Sequence, residues 1–477
     1  MNKSLLSACF LLMFALATQA QQGQLRIKKG IIVDSIQVQD TIPATFALYI
    51  PSTFEKSKPF PLLVVNNMNG EGREAISKFR SAAEKHQYLL AASNNLNDSL
   101  SISHNIALNK AVISSMAKIF RIPQNRIYVA GFGSGGKLAG ITPVFLSGIG
   151  GVISIGTAVN TGLLQLPDRS RITFRLIEVV GREDYNYTRM LEHSRLLDPI
   201  KISNDLLVHD GGPDMISPIF VDRAVGRLSL DAMRKGLKVK DTSVINSLFM
   251  EDYKEFRQLM GLRHYVEAEL VLSSMIDTYQ TLVSIDSLVK RRRVLKRDRD
   301  YREQQREFSN LIFKENLMKS DFEYSLLQDL DALNYNNLGW WNFQMKKLKE
   351  YENKPGFRER ESGKRLIAFL NALVEDNIYI ELARPAVDEE ALSLLWMIKT
   401  ITDPTDFSYY LKIISDSAKY EDFGTAIFYL EELLKQGFTD KETLYVLENT
   451  ALLRIMPEFN ELVEKYLNEA RYKINEE

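Results

Sequence analysis

The stretch "RIYVAGFGSGGKLAG", Arg126 to Gly140, passes from an apolar strand pattern through a glycine-rich turn into a helix start. A serine that attacks a carbonyl from such a strand-to-helix turn needs very small residues two places before and two places after it, because the backbone there is sharply bent. With Ser134 as the attacking residue those neighbours are Phe132 and Gly136, which puts an aromatic ring at the most crowded point. With position 133 they are Gly131 and Gly135. The glycine frame therefore fits position 133, and position 133 is Gly133, which has no side chain with which to attack.

Around this turn the chain resembles a family. Residues Gln24 to about Asp222 are similar to bacterial exported α/β-hydrolases related to polyhydroxybutyrate-depolymerase-like and feruloyl-esterase-like carboxylesterases, which carry strings such as YVAGFSGGARLA. "YVAGFGSGGKLA" aligns without gaps and sets Gly133 on the family serine and Ser134 on the residue after it. "FALYIP", "FPLLVV" and "YLLAASNN" look like earlier segments of the same family. The resemblance further implies that Asp184, in "VVGREDYNY", stands on the family acid, and that Pro213, in "VHDGGPDM", stands where the family has its general-base histidine. Proline cannot accept a proton, so the implied triad keeps an acid and lacks nucleophile and base, groups that act as a unit in acyl transfer. Asp184 is then expected to serve as a structural carboxylate that caps or pairs within its loop.

Two remnants of chemistry stay open. Ser134 with His209 and Asp184 would form a relocated triad if both loops were rebuilt. An oxyanion hole needs only backbone donors, and the amide of Ser134 with those of Asn66, Asn67 and Gly70 in "NNMNGEG" would suit a small carboxylate or ester carbonyl. His86, His104, His193 and His264 are scattered without ligand spacing, so neither a metal nor another cofactor is expected.

The elements that must position these residues alternate. "ATFALYIP", "FPLLVVNN", "YLLAAS", "RIYVAG", "GVISIG", "FRLIEVVG" and "ISNDLLVHDGG" read as strands, with helical spacing in "REAISKFRSAAEKH" and "IALNKAVISSMAKIF". This predicts an α/β fold with a mostly parallel sheet and flanking helices, with sites at the carboxyl ends of the strands. From about residue 223 the pattern becomes helical, which suggests a connector over 223–320 and an all-α, tetratricopeptide-like domain over 321–477. In "DFGTAIFYLEELLKQG" Phe423, Ile427, Leu430 and Leu434 form one stripe, Asp422 can cap the start and Gly437 can close the end, and "DKETLYVLENTALL" is expected to supply the paired helix. Lys290 to Arg306 is rich in Lys and Arg, read as a solvated helix in preference to an anion-docking face. Trp340, Trp341 and Phe343 are read as core.

With 45% hydrophobic and 25% charged residues in 477, the composition is that of a soluble globular chain of two or three domains. "MNKSLLSACFLLMFALATQA" has a basic start, a short apolar run and a small-residue end, which predicts a signal peptide (1–20) cut after Ala20, a mature α/β domain over 21–222 and a periplasmic or secreted location. The run is short for a membrane span. Cys9 is the only cysteine, so the mature chain would hold no disulfide. The formal net charge of −1, one unit lower without Lys3, gives no bulk attraction to nucleic acid or to a membrane surface. The sequence thus points to an inactive hydrolase-like protein that binds a protein partner through its helical half, with an active esterase as the alternative and a carbohydrate-ester or peptide binder as a third.

Overall fold

The computed structural model describes residues 28–39, 42–159, 174–197, 202–213, 216–468 and 470. The signal-like segment with Cys9 lies outside them. The chain forms two compact units, one of Met1–Ile177 with Pro218–Asp241 and one of Glu178–Ser217 with Thr242–Glu477.

The strands are β1 (Ile32–Gln37), β2 (Thr45–Tyr49), β3 (Leu62–Asn66), β4 (Leu89–Ser93), β5 (Ile127–Phe132), β6 (Ile149–Ile155), β7 (Arg175–Gly181) and β8 (Asn204–His209). They form one eight-stranded sheet in the order β1-β2-β4-β3-β5-β6-β7-β8. β2 runs antiparallel to β1 and β4, whereas β3 pairs in parallel with β4 and β5, and β5 with β6. β3, β4 and β7 are buried along their whole length, as parallel strands covered on both faces must be. β1, "IVDSIQ", escapes a reading by apolar runs because only Ile36 of its six residues is buried, as suits an edge strand.

In the first unit α1 (Gly72–His86), α2 (Ile102–Ile119), α3 (Ser134–Phe145) and α5 (Pro218–Arg234) accompany the sheet, and α4 (Tyr187–Leu197) belongs to the second unit. Ser101 caps α2 by accepting the amide of His104. α5 is held to α1 by Asp222, which accepts from Lys85 Nζ at 2.6 Å and His86 Nε2 at 3.1 Å. α5 therefore extends the α/β unit to Asp241 instead of ending it near residue 222.

The second unit continues with α6 (Thr242–Gly261), α7 (Tyr265–Tyr279), α8 (Asp286–Arg297), α9 (Arg299–Ala332), α10 (Leu338–Lys349), α11 (Phe357–Leu382), α12 (Glu389–Thr402), α13 (Phe407–Lys419), α14 (Phe423–Lys435), α15 (Lys441–Val446) and α16 (Pro457–Leu467). The expected boundary between 320 and 321 falls inside α9, a continuous 34-residue helix capped by the Asp298 side chain. α14 is capped by Asp422 as its sequence suggests, and Gly437 takes φ +93° beyond its end. The helix expected over "DKETLYVLENTALL" stops at Val446, because Leu447 turns extended and Asn449 adopts φ +63°. α14 packs mainly on α13 and α16, around Leu430, Leu433, Phe459 and Val463, and Leu444 and Tyr445 of the shortened α15 join the same cluster.

The basic run occupies α8 and the start of α9. Arg292 and Lys296 turn to Glu269 at 2.8 and 3.7 Å, so part of its charge is neutralised locally. Trp341 is fully buried and donates its indole N–H to Asp329 at 2.8 Å, whereas Phe343 is 60% exposed, contrary to a core role.

Candidate functional site

β5 ends in the turn that carries Gly133. Its backbone has φ +51° and ψ −122°, a conformation costly for residues with a side chain, and its carbonyl accepts the amides of Gly136 and Lys137 at 2.9 and 3.1 Å to open α3. The neighbouring glycines are obligatory. A Cβ on Gly131 would lie 2.1 Å from the carbonyl oxygen of Gly135, and one on Gly135 would lie 2.4 Å from that of Asn66. At Gly133 a Cβ would meet nothing within 4 Å. The turn is therefore compressed on both sides of position 133 and open at position 133 itself.

That geometry, together with the strand order and the antiparallel β2, decides the architecture. The fold is α/β-hydrolase-like. Among solved structures the chain is similar to an S-formylglutathione hydrolase from Staphylococcus aureus, at 13% identity and TM-score 0.33, over 42% of this chain and 96% of that one. It is also similar to a hyperthermophilic esterase from Pyrobaculum calidifontis, at 13% identity and TM-score 0.35, over 43% of this chain and 87% of that one. A feruloyl esterase module from Clostridium thermocellum complexed with sinapinate gives 12% identity and TM-score 0.35, over 41% and 87%. No protein-family model and no curated protein matches the chain.

Ser134 is the first residue of α3, and its hydroxyl donates to Asp98 Oδ2 at 2.7 Å. A serine nucleophile is activated by a base, in most known sites a histidine itself oriented by a carboxylate. Ser134 instead faces an exposed carboxylate directly. No motif marks Asp98 in the sequence, since it lies 36 residues upstream in a turn.

The proposed amide donors divide. With the Gly136 and Lys137 amides taken by the Gly133 carbonyl, those of Ser134 and Gly135 remain at the start of α3, where they carry the positive end of its dipole. Gly70 donates its amide to the Asn67 carbonyl at 3.3 Å, so it closes a turn and is not held for a ligand. Asn67 also accepts the Asn69 amide on Oδ1 at 3.0 Å. Asn66 ends β3 fully buried, with Nδ2 3.5 Å from the Gly135 carbonyl, and links the loop to the turn by packing.

Asp184, His209 and Pro213 belong to the second unit and have their own surroundings there. Asp184 is 1% exposed, accepts the amide of Asn186 on Oδ1 at 2.8 Å, and accepts that of Tyr187 on its carbonyl at 2.9 Å. It starts α4 in the manner of a capping residue. His209 is buried, and its Nδ1 lies 2.8 Å from the Asp210 carbonyl, which makes Nδ1 the protonated nitrogen. Pro213 stands in an exposed turn. Among the described residues no group of His, Cys, Asp and Glu could hold a metal, and no helix is long and apolar enough to cross a membrane.

The segment around Asp184 is gripped by helical side chains of the same unit. Arg365 Nη1 donates to the Arg182 carbonyl at 2.6 Å and its guanidinium lies over the Tyr187 ring at 4.9 Å. Lys319 donates to the Tyr185 carbonyl at 2.8 Å and to Thr188 Oγ1 at 3.1 Å. Lys364 pairs with Glu183 at 2.7 Å. Both inner cations converge on Glu315, which accepts from Arg365 on both oxygens at 2.6 to 3.0 Å, from Lys319 at 3.0 Å and from Ser362 at 2.9 Å. Burial pushes the Glu315 carboxyl up, but Arg365 and Lys319 outweigh it and hold the group below its ordinary range. Glu361, one turn before Arg365, is pushed up to about 7 by burial, against the pull of Arg182 and Arg365 and with help from Glu267 and Asp210.

Proposed function

We propose that this chain is a catalytically silent α/β-hydrolase-like protein that works by binding, with its helical unit as the protein-contact part and with export through the segment before Gln21. The observation that carries the reading is the open, side-chain-free position at Gly133 in a turn whose flanking glycines are crowded. Three further points support it. Ser134 is tied to Asp98, Pro213 offers no proton acceptor, and Asp184 is occupied in starting a helix. A turn that keeps its shape after losing its nucleophile is selected for architecture or for binding at the amides of α3. A small carboxylate or ester is the ligand chemistry that those amides favour.

The test is an assay of the purified protein on short-chain aryl esters combined with labelling by a fluorophosphonate probe. No turnover above background and no label on Ser134 are expected. Turnover abolished by Ser134→Ala, or label lost in His209→Ala, would overturn the reading in favour of an esterase with a relocated serine. Thermal shifts with a panel of carboxylates and esters then separate a ligand-binding crevice from a pure scaffold, since a ligand that prefers the folded state raises the melting temperature.

A further inference from the structure

α9 buries one stripe and exposes another. Tyr301, Phe308, Ile312, Glu315, Phe322, Leu326 and Asp329 face the interior. Counting from the helix start, positions 299, 303, 306, 310, 313, 317, 320, 324, 327 and 331 are all exposed and recur every three or four residues, the spacing of a coiled-coil seam. Four of these positions hold large apolar side chains: Phe313 is 70% exposed, Leu317 52%, Tyr324 65% and Leu327 57%. Among the described residues, neither Phe313 nor Tyr324 stacks on another ring, and Arg299, Arg306 and Asp331 form no ion pair. Phe313, Leu317, Tyr324 and Leu327 thus lie on one exposed face of α9, and clustered apolar exposure of this kind marks an interaction surface.

The order of side chains along the seam says what would cover it. It begins cationic, turns apolar at its centre and ends with an acid. We infer that a second copy of the chain docks here, with the two α9 helices antiparallel about a two-fold axis at position 315. In a two-fold interface each contact is made twice, residue i meeting j and j meeting i. This axis sets Phe313 against the second copy's Leu317, Asn310 against its Ser320, Arg306 against its Tyr324, and Arg299 against its Asp331. Apolar meets apolar, amide meets hydroxyl, cation meets ring face, and cation meets carboxylate. Only Glu303 against Leu327 is unmatched. A flat lipid surface is a poorer occupant, because it favours cations flanking an apolar stripe, and here the exposed flanks beside Tyr324 include the acids Asp321 and Glu323.

The test uses the full chain. Light scattering coupled to size-exclusion chromatography is expected to give twice the chain mass for the wild type and the single-chain mass for Phe313→Glu/Leu317→Glu, with circular dichroism unchanged. Arg299→Asp alone and Asp331→Arg alone should each weaken the dimer, and the double swap should restore it. In a Cys9→Ser background, Asn310→Cys/Ser320→Cys should form a disulfide-linked dimer on oxidation, while either cysteine alone should not. A wild-type monomer overturns the proposal. A dimer that survives Phe313→Glu/Leu317→Glu, or that Asn310→Cys alone cross-links as well as the pair, also overturns it. A monomer that binds anionic vesicles through these residues would assign the seam to a lipid surface instead.

Discussion

At the level of single residues, the turn after β5 shows how an absent side chain can be more telling than a present one. Glycine frames are readable in a sequence because their reason is steric, and the distances at Gly131, Gly133 and Gly135 state that reason. They also make a prediction that backbone preference alone would reverse. Gly133→Ala places a methyl group in open space at φ +51° and ψ −122°, a backbone outside the left-handed helical well that costs on the order of 1–3 kcal/mol with a side chain. Gly135→Ala has no such φ but drives a Cβ to 2.4 Å from the Asn66 carbonyl, so the strand and turn must part. The melting temperature is expected to fall more for Gly135→Ala than for Gly133→Ala; the opposite order would move the centre of the turn away from 133. Ser134→Ala removes one exposed hydrogen bond and should shift stability by no more than about 1 kcal/mol. The Ser134 to Asp98 bond is not legible in the sequence, because no spacing rule links a helix start to a turn 36 residues away.

Among elements, the loop from β7 to α4 is where the structure departs furthest from an independent α/β domain. Apolar runs identify β7 and β8, yet nothing in a hydropathy pattern says that Arg182, Tyr185 and Thr188 are held by Arg365 and Lys319. Only the i,i+4 pair Glu315 and Lys319 is locally legible, and as a sequence pattern it looks like an ordinary surface pair. In place Glu315 is buried, as is Arg365, so Arg365→Met should cost about 3–5 kcal/mol by leaving the Glu315 carboxylate under-compensated. Replacing both Arg365 and Glu315 by Met should cost less than that; chemical denaturation of the three proteins compares them. Glu361 adds a pH dependence with a defined sign. Its carboxyl binds a proton more tightly folded than unfolded, so its contribution is fully present below about 4.5 and is lost as pH rises through about 7. Glu361→Gln should therefore flatten the fall in melting temperature across that window and exceed the wild type at its alkaline end. Equal slopes for the two proteins would remove the group from the explanation.

For the whole molecule, the sequence conveys the change from alternating to helical patterning near residue 222 but not the interleaving of the two units. β7 begins in the first and ends in the second, and α5 returns to the first after β8. Composition cannot show this, because a strand reads alike whichever neighbours complete it. A fragment ending at Asp241 keeps every residue of the sheet but loses Lys319, Lys364 and Arg365, which hold residues 182–188. Hydrogen exchange in that stretch is expected to become fast in the fragment, whereas a clean division at 222 or 241 would leave it protected.

The grip of Arg365 on the Arg182 carbonyl also sets a clock for biosynthesis. The two residues are 183 apart, so at about 5–20 residues per second the ribosome needs roughly 10–40 s between them. During that interval the emerging loop has its acid and its turn but no clamp. The nascent chain should engage holding chaperones until the eleventh helix is made, and slowing translation between β8 and that helix should lower the yield of soluble protein.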